Sequence, residues 1–374
     1  MRWDPVGRRR IGLLAGLVLV LLPLVAGACT PGQNTYPGDS WSRVDPADAG
    51  FDPAVLDDIA AEAEANASHC LVVIRHGELV ADWYWNGADA TTSREIFSAT
   101  KSVTSTLIGI AQAEGALDIH DRAAEYIPQW AGTAAADITI EDLLSNDSGR
   151  HWDLVSDYVN LVQATDRTAF GIGLGQDVPP GQTWVYNNAA IQTLDAVLQA
   201  ATGEDPADFA ASRLFGPLGM THTSMTRDGA GNTNMFFGVH STCEDMARFG
   251  YLFLRNGRWA EDQIIPQAWV DAATDQPSQD INAAYGYLWW LNRLGPVTDP
   301  LHPLTREQAA TAPHVQLVPN APADMYWARG LGGQVVQVDP GSDTVVVRLG
   351  PGDRSATYGQ ANTARVVTEA LIDP

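Results

Sequence analysis

Lysine is nearly absent from this chain: of 22 basic residues, 21 are arginine and one, at position 101, is lysine. Acidic residues number 45 and set a net charge of −23. That leaves no basic footprint for nucleic acid and repels anionic lipid headgroups, so a membrane tie would have to be covalent or hydrophobic. Cysteine is scarce too, with three residues and no Cys-x-x-Cys pair. The eight histidines show no His-Glu-x-x-His or other tight ligand spacing, so no metal site is expected. Gly-x-Ser-x-Gly does not occur, which removes the nucleophile elbow of α/β-hydrolases. A Walker loop needs a lysine after its glycines, and the single lysine lies elsewhere, so no nucleotide or other cofactor is expected. Internal repeats and low-complexity blocks are missing past residue 45. What is plentiful is aromatic: 12 Trp, 10 Tyr and 9 Phe against only 18% charged residues, which excludes global disorder.

At the N-terminus, Arg8, Arg9 and Arg10 precede an apolar run from Ile11 to Ala28. A basic start, an apolar stretch and small residues describe a secretory signal over residues 1–28. A membrane-spanning anchor is the alternative, since the run approaches spanning length. Ala26-Gly27-Ala28-Cys29 resembles the bacterial lipoprotein processing site, which implies lipid on Cys29 and a place in the cell envelope. Residues 29–48, rich in Gly, Pro, Asn and Ser at their start, read as a flexible tether. Cys70 and Cys243 then remain in an oxidising compartment, either as one disulfide or as two small buried hydrophobes.

Asp52-Pro53 opens a helix with Val55, Leu56 and Ile59 on one face. Cys70–Arg75 and Leu79–Trp85 flank His76-Gly77-Glu78 as a predicted β-hairpin. From Ser98 the apolar spacing turns helical, with Val103, Leu107, Ile110 and Ala111 ending near Gly115. The middle reads as helices and loops. Near the end, Gln334–Val338 and Thr344–Leu349 flank a strong turn signal, and an amphipathic helix covers roughly 358–372. The fold class is therefore α/β (α+β) in one domain over 49–374. An antiparallel sheet is built from both chain ends (about 49–96 and 310–374), flanked by the terminal helices, with a large helical insertion (about 97–309). A cleft between the two parts is the natural site.

Three stretches carry candidate chemistry. Ser98-Ala99-Thr100-Lys101 places hydroxyl and amine on one helix face, about a turn apart. A neutral lysine can take the serine proton, a role closed to arginine, which keeps its charge. The plainer alternative is a serine N-cap and a first-turn lysine, which opposes the helix dipole. Trp184-Val185-Tyr186-Asn187-Asn188 offers a phenol to relay a proton, if nearby cations lower its pKa, and an Asn188 amide for a neighbour or substrate carbonyl. Its plainer reading is a turn with a packed aromatic and an Asn cap. Ala328-Arg329-Gly330-Leu331-Gly332-Gly333-Gln334 leads into a strand, where glycine permits close backbone approach and an edge amide could help hold an oxyanion. Gly171-x-Gly173-x-Gly175, before a Pro-rich loop, reads as a flexible wall of the site rather than a dinucleotide loop.

In combination and in this order, these stretches resemble the serine β-lactamase and penicillin-binding-protein superfamily. Within it the likeness is to the class C-type branch, which also holds carboxylesterases, D-aminopeptidases and 6-aminohexanoate-dimer (nylon-oligomer) hydrolases. Glu141-Asp142-Leu143-Leu144-Ser145 with Ser148-Gly149, and Asp245 to Gly250, look alike as well, so the resemblance spans roughly residues 50 to 370. It implies Ser98 as the acylated nucleophile, Lys101 as its base and Tyr186 as proton shuttle. It also implies an oxyanion hole from the amides of Ser98 and Leu331, and substrate contacts from Asn188, Arg329 and Gly330. Ala328-Arg329-Gly330 stands where the family has Lys-Thr-Gly, so the lysine that helps bind the carboxylate of β-lactams is absent, a departure that weakens a β-lactam reading. The local likeness is strongest to the nylon-oligomer hydrolase and esterase group. The expected activity is hydrolysis of a small-molecule ester or amide through an acyl-enzyme. The alternatives are a β-lactamase or D,D-carboxypeptidase, and a non-catalytic envelope sensor of the same fold.

Overall fold

A computed structural model describes residues 34–372; the secretory-signal expectation and Cys29 lie outside them. Six strands form the central sheet: β1 (Cys70–Arg75), β2 (Glu78–Tyr84), β3 (Trp290–Leu291), β4 (Tyr326–Gly330), β5 (Gln334–Asp339) and β6 (Thr344–Leu349). They are ordered β2-β1-β6-β5-β4-β3 and every neighbouring pair is antiparallel. The last strands of the chain thus pair with the first, Val72 facing Val347. Strands β1, β5 and β6 are buried at every position, which is why they read as near-continuous apolar runs instead of alternating ones. The turn between β1 and β2 is His76-Gly77, both at positive φ (52° and 80°), as a two-residue hairpin loop requires.

Each sheet face has its own cover. Leu71, Val73, Val80 and Val346 meet Leu56, Ile59 and Ala63 of α1 (Pro53–Ala65), together with Val366 and Ala370 from the C-terminal helical segment that begins with α5 (Gln360–Arg365). The opposite face, including Cys70, Val72, Ile74 and Val347, belongs to the larger core, with α2 (Thr100–Ala113) and α4 (Cys243–Leu254). Gly250 lets α4 lie close on the sheet, because a Cβ there would come 2.7 Å from Val345 and 3.0 Å from Val336. A disulfide joins Cys70 on β1 to Cys243 at the start of α4, with Cα atoms 6.4 Å apart. The open choice at those two cysteines is settled as a bridge.

The expected sheet from both chain ends is present, with three corrections. Strand β3 comes from residues 290–291, inside the stretch read as helical insertion, and pairs with β4 at the sheet edge. Residues 34–48 do not behave as a tether. Trp41 is 6% exposed in the main core, the Thr35 and Gly38 carbonyls accept from Tyr251 and Arg248, and Arg43 pairs with Asp82. Gly171 and Gly173 belong to a helix, Arg167–Gly173, and not to a flexible wall. Gly171 is small because the Ala189 carbonyl of α3 (Asn188–Gln192) leaves no room for a Cβ.

Candidate active site

The site begins with a backbone irregularity. Phe97 sits at φ +48°, a conformation that non-glycine residues rarely adopt and that clusters at functional turns. It opens a short 3-10 turn, Phe97–Ala99, that delivers Ser98 half-buried just ahead of α2. Two glycines hold this turn in place. A Cβ on Gly330 would collide with the Ile96 carbonyl, and one on Gly352 would collide with the Phe97 ring. The sheet edge at β4 is thereby pressed against the residues that precede the serine.

Lys101, on the first turn of α2, is 1% exposed. Its Nζ lies 2.9 Å from Ser98 Oγ and 2.9 Å from the Phe236 carbonyl oxygen. The amine also stands 4.6 Å from the centroid of the Tyr186 ring. Burial away from water pushes its pKa down to about 7, against the opposing charge of Asp157. Neighbouring polar groups of α2 fix its orientation: Ser102 donates to the Leu288 carbonyl, Thr104 donates to the Met235 carbonyl, and the Thr100 hydroxyl accepts from the Val239 amide. A neutral Lys101 keeps one N–H for Phe236 and turns its lone pair to the serine hydroxyl. The helix-cap alternative does not apply, because Ser98 makes no cap bond and the helix starts after it.

Tyr186 is 5% exposed and enclosed by Trp184, Tyr285 and Trp290, with ring centroids 5.7 to 6.3 Å away. Burial pushes its pKa up to about 12, while hydrogen bonding to Ser98 and the charge of Arg329 work the other way. The sequence reading allowed a phenol lowered by cations; here desolvation wins, and the group is a neutral donor. The Glu141–Ser145 stretch explains how Tyr186 is presented. It ends a helix (Ile140–Ser145) whose following residue, Asn146, takes the left-handed conformation. The Asn146 carbonyl accepts from the Val185 amide at 2.8 Å, and its side-chain oxygen accepts from the Asn187 amide at 3.3 Å.

Arg329 on β4 lays its guanidinium over Trp290, 4.7 Å from the ring centroid, and burial lowers its pKa to about 10. Leu331 follows the strand, 39% exposed. Its carbonyl accepts from the Gln334 side chain at 2.9 Å, which also bonds both polar groups of Gly350 and so secures the turn. Asn188 differs from expectation: its Nδ2 donates to Asp157 at 2.7 Å, and the side chain is 4% exposed. Its amide nitrogen is therefore occupied by a carboxylate instead of facing a substrate carbonyl. The structure brings Ser98, Lys101 and Tyr186 together with Arg329 and Gly330 beside them.

Sequence reasoning missed Asp157, Trp290 and Phe236. None sits in a recognisable spacing, and Phe236 contributes a backbone carbonyl and a ring whose centroid lies 5.6 Å from the Lys101 amine. Elsewhere, a cavity of about 670 Å³ bounded by Trp130, Arg150, Ile172 and Leu174 contains none of the candidate residues. Arg150 ties off carbonyls of Gly171 and Ile172 there, an ordinary way to finish a helix.

Comparison with known proteins shows the family to which the fold belongs. The chain is 24% identical over 313 residues to the 6-aminohexanoate-dimer hydrolase of Paenarthrobacter ureafaciens, covering 79% of this chain and 75% of that one. It is 26% identical over 237 residues to a D-aminopeptidase of Cereibacter sphaeroides (strain KD131 / KCTC 12085), covering 57% of this chain but only 44% of the relative. A penicillin-binding protein homologue from Caulobacter crescentus shares the fold with a TM-score of 0.61 at 16% identity, covering 87% of this chain and 97% of that one. The family model described as beta-lactamase matches residues 56–370, nearly the whole of the folded part, and the chain accordingly belongs to the β-lactamase family.

Proposed function

We propose that this protein is a serine hydrolase that cleaves a small ester or amide through an acyl-enzyme on Ser98. The observation that carries this is the 2.9 Å approach of Ser98 Oγ to a lysine amine that is 1% exposed. In the first step the Ser98 proton passes to Lys101 Nζ as Oγ bonds the substrate carbonyl carbon, whose π electrons move onto oxygen. The amides of Ser98 and Leu331 are the proposed donors to that oxyanion. Collapse re-forms the carbonyl and expels the leaving group, which takes a proton from the Tyr186 phenol; Lys101 returns a proton to the phenolate. Water then attacks the acyl-enzyme, giving its proton to the same pair, and Ser98 is released with its hydroxyl restored. Burial separates the two roles: it holds Lys101 near neutrality as the base and Tyr186 protonated as the acid.

The relatives' names point to amide substrates for those proteins, and an ester or amide is the class proposed here. Arg329, with Gly330 beside it, is proposed to line the substrate channel. With Ala328 at the position of the family's lysine, the cation of this stretch is the broad Arg329 guanidinium stacked on Trp290, which favours this class over β-lactams. Export to the cell envelope, with lipid on Cys29, is proposed on the strength of the N-terminal pattern. The Cys70–Cys243 disulfide supports an oxidising compartment. Ser98→Ala is expected to lower turnover of p-nitrophenyl butyrate by roughly a thousandfold or more with the circular dichroism spectrum unchanged. Equal turnover by the variant would refute the assignment.

A further inference from the structure

Much of the segment 154–162 is inside out, although Leu161 is buried in the main core. Leu154, Val155, Val159 and Val162 are 52%, 58%, 43% and 42% exposed, whereas the acid among them, Asp157, is 1% exposed. A soluble domain ordinarily arranges these residue types the other way, so a buried carboxylate here calls for a cause. The backbone is a π-helical turn, Ser156–Asn160, a wide turn that often marks functional positions and here directs Asp157 inward. Its two oxygens have assigned partners: Oδ1 accepts from the Ala189 amide at 2.9 Å, and Oδ2 accepts from Asn188 Nδ2 at 2.7 Å. Both donors belong to the first turn of α3, directly after Tyr186. With its nitrogen held, Asn188 is left with a buried oxygen that has no hydrogen-bond partner among the described residues.

We propose that Asp157 is a positioning residue of the Ser98 reaction. In this role its carboxylate locks Asn188 and the start of α3, and is the counter-charge for the ammonium that forms on Lys101. The inference rests on the acyl-enzyme reading above. When the serine proton reaches Nζ, a full positive charge appears in a water-poor space. A buried anion within electrostatic reach, held in place by the first turn of α3 without touching the amine, lowers the energy of that state. Asp157 is the carboxylate whose charge acts on Lys101, and because burial raises its own pKa to about 6 it is the anion above that pH. The other ionisable groups around the pair are Tyr186 ahead of α3, Tyr158 on the same π-turn, Arg329 on β4, which acts on Tyr186, and Arg354, which acts on Tyr158.

The single lysine allows a direct test. Protein grown with 13Cε-labelled lysine gives a side-chain signal from position 101 alone, so its titration can be followed in the full chain. In Asp157→Asn the midpoint is expected to move to lower pH by roughly half a unit or more, because the anion favouring the ammonium is gone. The acid limb of fluorophosphonate labelling should move with it. Asp157→Glu, which keeps the charge, should return the midpoint most of the way toward wild type. An unshifted midpoint together with slower labelling would mean that Asp157 only props the fold, and would overturn the proposal. If Asp157→Asn does not fold, Asp157→Ser, which also removes the charge, takes its place with the same expected shift, and an unshifted Lys101 midpoint in it would overturn the proposal equally. Labelling of Ser98→Ala at the wild-type rate would instead sink the acyl-enzyme reading itself.

Discussion

Lys101 shows how one residue can be chosen against stability. An ammonium ion in that position gives up its water for one carbonyl, a hydroxyl and two aromatic rings. Its folded pKa of about 7 against about 10.5 when unfolded fixes the sign of the pH dependence. Below about pH 7 both states hold the proton, and the folded state bears the whole penalty of burying it. Between about 7 and 10.5 the unfolded chain binds more protons than the folded one, so stability rises with pH through this window. Lys101→Met is therefore expected to be inactive yet to melt several degrees higher at pH 6, with the gap closing toward pH 10. A gap that stays constant across that range, measured by calorimetry, would show that the lysine is buried without penalty. This position was legible in the sequence because the chain uses arginine almost everywhere else. Asp157 was not, because its meaning comes from being turned inward among exposed apolar neighbours, which no spacing rule encodes.

Elements bring the serine, the phenol and the sheet edge together by close backbone approaches. Gly330 makes one of these, set where β4 meets the Ile96 carbonyl. Gly330→Ala should push the edge strand away from Ser98 and lower kcat/KM by roughly a hundredfold, as displacements of about 1 Å commonly do. The far-ultraviolet spectrum should change little, and retention of full activity would show that the edge strand does not shape the site. The two hairpins, α1 and the helix after Ser98 could all be read from apolar period and turn residues, since each is stabilised mostly by its own pattern. The helix at Arg167–Gly173 escaped, because its glycines looked like loop and their cause, the Ala189 carbonyl, lies in another element. Strand β3 escaped because two residues carry no period at all.

At the scale of the whole molecule, the two ends of the sequence close one sheet, and that much followed from where the strand-like runs fall. How residues 34–48 dock did not: one tryptophan in a Gly- and Pro-rich stretch decides it, by finding a cavity beside Tyr251. The disulfide likewise depended on a distance that only the fold supplies. Removing it as Cys70→Ser/Cys243→Ser is expected to lower unfolding free energy by about 3–5 kcal/mol, given the length of chain it encloses. Guanidinium unfolding of the oxidised and double-serine forms measures this, and coincident midpoints would show that the bridge contributes nothing.

That bridge spans 173 positions and encloses Ser98, Lys101, Asp157 and Tyr186, while Arg329 and Gly330 stay outside it. The bridge therefore makes one covalently closed stretch of the residues read as nucleophile, base and acid. The strand that carries Arg329 is joined to that stretch through the sheet, β4 to β5, β5 to β6 and β6 to β1. Loss of that pairing would part Arg329 and Gly330 from the groups proposed to handle protons, while the bridge kept those groups on one loop of chain.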